Sequence, residues 1–131
     1  MEQLDLDHEL MISCFPDMTA TAPSRVDPAA AARFFRVLGD PTRLRILEML
    51  EGGERGVSEI VTAIGLPQAR VSSHLACLRH CGFAVAERRG KEVYYRLAIG
   101  GVSTLLASAG AVIEPLAPAL STCTRIGPDW I

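Results

Sequence analysis

Several features that would point directly to a function are missing from this sequence. The 131 residues carry a formal net charge of −2, so the bulk basicity typical of nucleic-acid-binding proteins is absent. There is also no glycine-rich phosphate loop, paired catalytic carboxylate or oriented cysteine–histidine–acid group, and we therefore expect the protein not to be an enzyme. Hydrophobic residues make up 49% and charged residues 21%, which excludes a wholly disordered chain.

A secretory signal is missing as well. The first ten residues, MEQLDLDHEL, are acidic and lack the basic-then-apolar pattern of such a signal, so we expect a cytoplasmic protein with reduced thiols. The longest uncharged run, residues 97–113, only reaches the lower limit for a membrane span and contains glycine, serine and threonine; we expect no membrane span. The cysteines are then interpreted as metal ligands or redox groups: Cys14, Cys77, Cys81 and Cys123.

The charges that are present are unevenly distributed. Residues 1–30 carry six acids and one base, whereas residues 66–96 carry six bases and two acids. Twelve of the thirteen bases are arginine, which binds phosphate and guanine in a bidentate manner. The basic block coincides with the most regularly patterned part of the chain.

The pattern along the chain predicts four helices, a hairpin and a last helix. Residues 1–26 show no period and are predicted to be a mobile acidic arm. The Asp-Pro pairs at 27–28 and 40–41 are typical helix starts. A short third helix follows from Ser58, and a fourth runs over residues 67–81 and ends before a glycine.

The C-terminal half changes from helical to strand periodicity and back. FAVAERRGKEVYYRL reads as two strands around an Arg-Gly-Lys turn. The next segment has apolar residues at helical intervals, with Pro115 and Pro118 limiting or kinking the helix. We therefore expect one domain over residues 27–118 and a C-terminal tail over residues 119–131. The predicted fold is mainly α with a β-hairpin wing, the outline of a winged helix-turn-helix.

The fourth helix is the candidate for reading DNA. With Val71 set to zero on a helical wheel, Leu75 and Leu78 lie at about 40° and −20°, so these three define the buried side. The first turns carry small or hydrogen-bonding side chains that can contact base edges or phosphates in a major groove. The alternative is an ordinary polar surface. The candidate DNA-contacting residues on this helix are Gln68, Ala69, Arg70, Ser72, Ser73 and His74.

The hairpin tip supplies three further candidates, Arg88, Arg89 and Lys91. Their charge suits contacts with phosphate or the minor groove. Charged tips are also common on exposed hairpins in general, so this signal carries weight only beside the helix.

The two stretches LGDPTRLRILEML and VSSHLACLRHCGFAVAERRGKEVYYRL resemble the ArsR/SmtB family of winged-helix repressors, over roughly residues 30–114. The resemblance implies a homodimer joined through the first and last helices, which binds an inverted repeat of operator DNA. It also implies that metal binding lowers DNA affinity. The apolar stripe from Val102 to Ile113 fits such a helix–helix interface, and packing inside one protomer is the alternative.

The cysteine pair of the fourth helix flanks its buried side. Cys77 and Cys81 lie at about −120° and −80° on the wheel, on one stripe with Arg70 and His74. β-Carbons at this spacing are about 5–6 Å apart, too far for an unstrained disulfide. Two sulfurs on one tetrahedral metal are roughly 3.8 Å apart, which the side chains can reach without backbone movement. A metal site needs a third ligand, from Cys123 or Cys14.

Within the family, the sequence is most similar to the CmtR-type cadmium/lead sensors. The cysteines of the "ELCVC" type are absent, whereas the motif "HLxCLRxCG" is matched at residues 74–82. The resemblance implies a third ligand, Cys123, supplied by the opposite protomer, with Cys14 as a candidate fourth. Thiolate ligands select soft ions, so the expected effector is Cd(II) or Pb(II), with Hg(II) or Zn(II) as alternatives and no organic cofactor.

Two other functions stay open at this stage. The same cysteines could form a thiol-redox switch on a winged-helix repressor, or the fold could serve as a protein-interaction module without DNA. Cysteines can also be small buried fillers, and His74 can be a structural histidine and not a ligand.

Overall fold

The predicted succession of four helices, a hairpin and a last helix is confirmed by the computed structural model, which describes residues 25–125. Cys14 and nearly all of the predicted arm over residues 1–26 lie outside this range. The elements in chain order are α1 (Pro28–Leu38), α2 (Pro41–Glu51), β1 (Arg55–Gly56), α3 (Val57–Ile64), α4 (Gln68–His80), β2 (Ala84–Arg89), β3 (Glu92–Leu97) and α5 (Val102–Thr122).

The two Asp-Pro pairs begin the first two helices as predicted. The chain divides into two units, residues 1–31 and 32–131. In the first, the Asp27 carboxylate accepts a hydrogen bond of 3.3 Å from the Ala30 amide. In the second, Asp40 accepts bonds of 2.8 and 3.1 Å from the amides of Thr42 and Arg43. Both aspartates thus satisfy amide groups that a helix start leaves without partners.

The buried side of α4 is the one that the wheel predicts. Val71, Leu75 and Leu78 are at most 1% exposed, and they pack in one core with α2, α3 and the sheet. At about 1.5–3 kcal/mol for each fully buried aliphatic side chain, this stripe fixes which face α4 turns outward. The other buried core residues are Leu38, Ile46, Leu47, Leu50, Ile60, Ile64, Phe83, Ala84, Tyr95 and Val102.

The sheet has one strand more than the sequence predicted. Strands β2 and β3 form the expected antiparallel hairpin, with Ala84 opposite Leu97 and Arg89 opposite Glu92. Gly90 turns the chain with φ 64°, a conformation that favours glycine. The two-residue strand β1 adds to the outer edge of β3, giving the order β1-β3-β2. The wing is therefore hydrogen-bonded to the segment that leads into α3.

The last helix extends further than the sequence predicted. Residues 119–122 were assigned to the tail, but α5 continues through Pro115 and Pro118 to Thr122. A proline removes its own amide hydrogen bond and kinks a helix without preventing helix beyond it. The hydroxyls of Ser121 and Thr122 each donate a 3.0 Å bond to the Pro118 carbonyl in the last turn. Within the described residues, α5 alone is long and apolar enough to qualify as a membrane span by length and composition.

One apolar stripe runs along α5, and only its first part is covered. Val102 is 2% exposed, and Leu105 and Leu106 pack against the core. On the same stripe, within an arc of about 120°, later side chains are 47–63% exposed, and these are Val112, Ile113, Leu116 and Leu120. The first half of the stripe therefore packs inside one protomer, and the exposed second half is the part to which the interface interpretation can apply.

A carboxylate of the wing caps α3. Glu92 lies at the start of β3 and accepts a 2.9 Å hydrogen bond from the Ser58 amide, and its two oxygens accept bonds of 3.0 and 2.8 Å from the Ser58 hydroxyl. The residue before α3 is Gly56, which offers no side chain for capping. Glu92 therefore supplies the missing cap across 34 residues of sequence, and its negative charge also suits a helix N-terminus.

We expect Glu92→Gln to lower the melting temperature at pH 7. The hydrogen bonds from the Ser58 amide and then from its hydroxyl lower the pKa of Glu92. A carboxyl with a lowered folded pKa stabilises the fold above its unfolded pKa of about 4.3, and this contribution is lost as pH falls through the folded value. Thermal unfolding from pH 7 to 3 should therefore show the gap between wild type and variant narrowing with acid.

Glu51→Gln is the matched control, because Glu51 is exposed at the end of α2. It should melt like the wild type at pH 7. A Glu92→Gln protein that melts like Glu51→Gln across the whole range would contradict the capping role.

Candidate DNA-contacting surface and cysteine site

The first turns of α4 present their polar side chains to solvent. Pro67 is the N-terminal cap, so α4 begins at Gln68, one residue later than predicted. Behind the exposed residues lies the buried stripe of α4, which holds them in place. The exposed residues are Gln68, Ala69, Arg70, Ser72 and Ser73.

His74 differs from these neighbours, because its side chain is only 20% exposed. Its Nδ1 lies 3.3 Å from Nη1 of Arg43 and 3.9 Å from the Asp40 carboxylate. Arginine can only donate, so the shorter contact requires Nδ1 to accept. The structure thus places His74 against α2 and not among the outward-facing residues.

The three basic residues at the tip of the wing have different surroundings. The Arg89 guanidinium donates to both carboxylate oxygens of Glu54, one at 2.9 Å, and to Glu87 at 3.0 Å. It also lies 4.8 Å from the centre of the Tyr94 ring. The hydrogen bonds to Glu54 and then Glu87 raise the pKa of Arg89. Arg89 is thereby tied to the loop before β1.

The other two bases at the tip have fewer partners. Among residues 25–125, the Arg88 side chain makes one weak hydrogen bond, to the Gly90 carbonyl at 3.4 Å, and the Lys91 side chain makes no hydrogen bond or ion pair. Both side chains are exposed and are therefore available to a DNA phosphate.

A cleft of about 520 Å³ lies between α4 and the wing. Gln68 and Ser72 line it from α4, and Lys91 lines it from the hairpin. The fold therefore brings together candidate contacts that are about 20 residues apart in sequence. Its other lining residues come from α3 and β3 and include Ser58, Thr62 and Glu92.

The cysteine pair lies at the opposite end of α4 from the candidate DNA-contacting residues. Cys77 is half-buried and Cys81 is exposed, and both are reduced. Cys81 is the C-terminal cap residue, and its amide donates a 2.9 Å bond to the Cys77 carbonyl. Slight burial, the charge of Cys77 and a hydrogen bond between the two thiols raise the pKa of Cys81, whereas the Arg43 charge lowers it. The two thiols are therefore neighbours, as a shared metal ion requires.

The donor chemistry fits a soft ion, but the described residues of one chain do not complete the set. Cys123 follows the 21 residues of α5, about 31 Å along a straight helix from its start. Among residues 25–125, no group of three or more histidine, cysteine, aspartate or glutamate side chains is placed to hold a metal. The structure brings Cys77 and Cys81 together and leaves Cys123 apart from them.

Comparisons with known proteins find similar regulatory proteins. The model of the family described as "Bacterial regulatory protein, arsR family" matches residues 40–85. The chain is 44% identical to a "Probable mercury resistance operon repressor" of Streptomyces lividans, over 82% of this chain and 86% of that protein. It is 46% identical to the regulator CmtR of Mycobacterium tuberculosis, over 53% of this chain and 59% of CmtR.

Solved structures add the assembly of a relative. The homodimeric winged helix-turn-helix DNA-binding domain of a possible ArsR-family regulator from Mycobacterium bovis superimposes with a TM-score of 0.57 and 35% identity. The match covers 71% of this chain and 91% of that domain.

We expect Arg89→Ala to lower the melting temperature by a few degrees and Arg88→Ala to leave it nearly unchanged. The first substitution removes a two-pronged ion pair between the wing and Glu54, whereas the second removes one weak contact with a backbone carbonyl. Two-pronged arginine–carboxylate pairs are the surface ion pairs most able to stabilise a fold. Thermal unfolding of both variants at low and high salt tests this, and equal melting temperatures at low salt would refute the distinction.

Proposed function

The chain belongs to the arsR family of bacterial regulatory proteins, and we propose that it represses transcription until a soft metal ion binds its cysteines. The metal-free protein would bind an inverted repeat of double-stranded operator DNA as a homodimer in the cytoplasm. Cd(II) or Pb(II) is the proposed effector, with Hg(II) or Zn(II) as alternatives. One observation carries the proposal: α4 bears the candidate DNA contacts at one end and the cysteine pair at the other.

The candidate DNA contacts and the cysteine pair are close together on the same helix. Gln68 and Cys81 are 13 residues apart, about 20 Å along a helix. The buried stripe of α4 makes the helix move as one piece with the core. Any constraint applied at Cys77 and Cys81 therefore acts on the same rigid segment that carries the reading residues.

A second copy of the chain is the proposed cover for the exposed half of α5. The stripe that begins at Val102 in the core continues without interruption to Leu120 at the surface. Phe35 of α1 is also 57% exposed. Apolar surface of this extent on two helices is typical of a protein–protein interface, and the M. bovis relative is homodimeric.

The proposed metal ligands are Cys77 and Cys81 of one protomer and Cys123 of the other. This sharing fits the placement of Cys123 at the end of the helix that the second protomer would cover. The ion itself would supply a bridge between sulfurs of two chains. Thiolates prefer soft ions, which supports Cd(II), Pb(II) and Hg(II) over harder ones. Cys14 lies outside the described residues and stays a candidate fourth ligand.

Release would follow from dimer geometry. An inverted repeat requires the two α4 helices to lie about one DNA turn apart. Joining the C-terminal end of each α4 to the partner's tail favours a single spacing, and a spacing unsuited to the operator lowers affinity. We favour this route over disorder of the wing, because Glu92 and Arg89 tie the wing to the loop and helix beside it.

We expect one Cd(II) per protomer to produce ultraviolet sulfur-to-metal charge-transfer absorption and to weaken DNA binding. Cys77→Ser, Cys81→Ser and Cys123→Ser should each lose this absorption and the release, because three sulfurs are needed. His80→Ala, which alters an exposed side chain between the two cysteines, is the matched control and should behave like the wild type. Metal-triggered release that persists in the triple serine variant would overturn the cysteine site, and peroxide-driven crosslinking without metal absorption would favour the redox switch.

A mixed dimer tests whether the site is shared. One partner carries Cys77→Ser and Cys81→Ser, and the other carries Cys123→Ser. If ligands come from both protomers, the mixed dimer keeps one complete site and binds one Cd(II) per dimer, although neither parent binds in this way. A mixed dimer without charge-transfer absorption would place all three ligands within one protomer.

We expect Arg70→Ala to weaken binding to the promoter fragment by about 1–3 kcal/mol and to relax sequence preference, as for loss of a base contact. Lys91→Ala should weaken binding to all sequences alike and reduce the salt slope by about one. Arg79→Ala changes an exposed arginine at the far end of α4 and is the control. Fluorescence anisotropy at several salt concentrations separates these effects, and Arg70→Ala binding like Arg79→Ala would contradict the assignment of the reading face.

A further inference from the structure

Arg43 completes the end of α1. It lies in the first turn of α2, and its Nε donates a 2.6 Å hydrogen bond to the Val37 carbonyl. Its Nη2 donates to the Arg36 carbonyl at 3.3 Å. The last carbonyls of a helix have no partners within the helix, and a cation at this end also suits the helix dipole. One guanidinium thus holds the end of α1 against the start of α2.

The third nitrogen of the same guanidinium contacts α4. Nη1 lies 3.3 Å from the His74 ring nitrogen, and His74 is half-buried there. Asp40 holds the backbone of this turn, because its carboxylate accepts from the Arg43 amide at 3.1 Å. Arg43 is therefore fixed in place on α2, with contacts to both α1 and α4.

The cysteine pair lies on the same stripe of α4 as this contact. His74, Cys77 and Cys81 follow one another at spacings of three and four residues, which puts them on one helix face. The positive charge of Arg43 acts on the Cys81 thiol. The contact between Arg43 and His74 thus lies about one helical turn from Cys77, on the same face of α4.

We propose that Arg43 is a positioning residue that couples the cysteine pair to α1, and so to the helix expected at the dimer interface. This inference rests on the proposed function. When the thiols bind a metal ion, their protons leave to solvent, and the ion links the sulfurs of Cys77 and Cys81 on the face of α4 that also carries His74.

A metal ion held by Cys77 and Cys81 constrains the face of α4 that carries His74, and Arg43 passes this constraint from His74 to the last carbonyls of α1. The end of α1 and the C-terminal half of α4 therefore shift relative to each other when the cysteines are occupied. A change in that relation alters the spacing of the two reading helices in a dimer built on α1.

The test compares Arg43→Gln with Arg45→Gln. Arg45 lies on the same helix and also donates to a carbonyl, that of Ala63 at 3.2 Å, but it has no contact with α1 or His74 among the described residues. For each protein we would measure Cd(II) affinity by absorption, metal-free DNA affinity, and the ratio of DNA dissociation constants with and without Cd(II). Allosteric ratios are typically about 5–150.

We expect Arg43→Gln to reduce this ratio by at least about fivefold, while Arg45→Gln retains it. Hydrogen exchange without metal should also rise in the last turn of α1 in Arg43→Gln only. If Cd(II) releases the wild type and Arg43→Gln shows the same ratio, the inference fails and the proposed function stands. If Cd(II) does not release the wild type, the proposed function itself fails.

Arg43→Lys keeps the test decisive if Arg43→Gln does not fold. Lysine retains the charge, but its single ammonium cannot replace a planar group that contacts two carbonyls and a ring. We expect a ratio between those of wild type and Arg43→Gln, with metal-free DNA affinity close to wild type. A wild-type ratio in Arg43→Lys, in the absence of folded Arg43→Gln, would overturn the coupling role.

Discussion

The burial of one side of α4 is the constraint on which the other features depend. A helix of 13 residues has room for few separate surfaces, and Val71, Leu75 and Leu78 take one of them completely. Their positions fix the rotation of the helix about its axis. Once that rotation is fixed, the remaining faces follow: the first turns point outward with small and polar side chains, and the stripe of His74, Cys77 and Cys81 faces the side where α2 begins. The same apolar contacts thus orient both the candidate DNA-contacting surface and the cysteine pair.

Charge is organised locally in a chain whose net charge is slightly negative. Two of the wing's charged groups, Arg89 and Glu92, are used to attach the wing to the protein. In the part of the chain that the structure describes, Arg88 and Lys91 have no strong partners, and Lys91 lines the same cleft as Gln68 and Ser72. A count of charged residues would not distinguish these side chains. Their hydrogen-bond partners show which charged side chains hold the wing in place and which can contact a phosphate.

The parts that sequence predicted are the ones set by neighbouring residues. Asp-Pro helix starts, the glycine turn of the hairpin and the apolar periodicity of α4 each depend on residues within a few positions, and the structure agrees with them. What sequence missed depends on contacts between distant residues. β1 is too short to show a period, the cap on α3 comes from Glu92, and Arg43 meets His74 across 31 positions. The length of α5 was underestimated for a different reason, because a proline can kink a helix without ending it.

The last helix connects the fold to the proposed assembly. Its stripe is continuous in sequence but discontinuous in burial: Val102 lies in the core, whereas Val112 is 63% exposed. A protomer alone would leave the later half in water, although each buried apolar side chain is worth about 1.5–3 kcal/mol. A second copy placed on this face covers the stripe and brings a foreign Cys123 into the assembly at the end of the same helix. Dimerisation and completion of a three-sulfur site would then be one event, so the metal would bind only to the species that binds DNA. That linkage is what a repressor requires if its effector is to act on the DNA-bound form and not on inactive monomers.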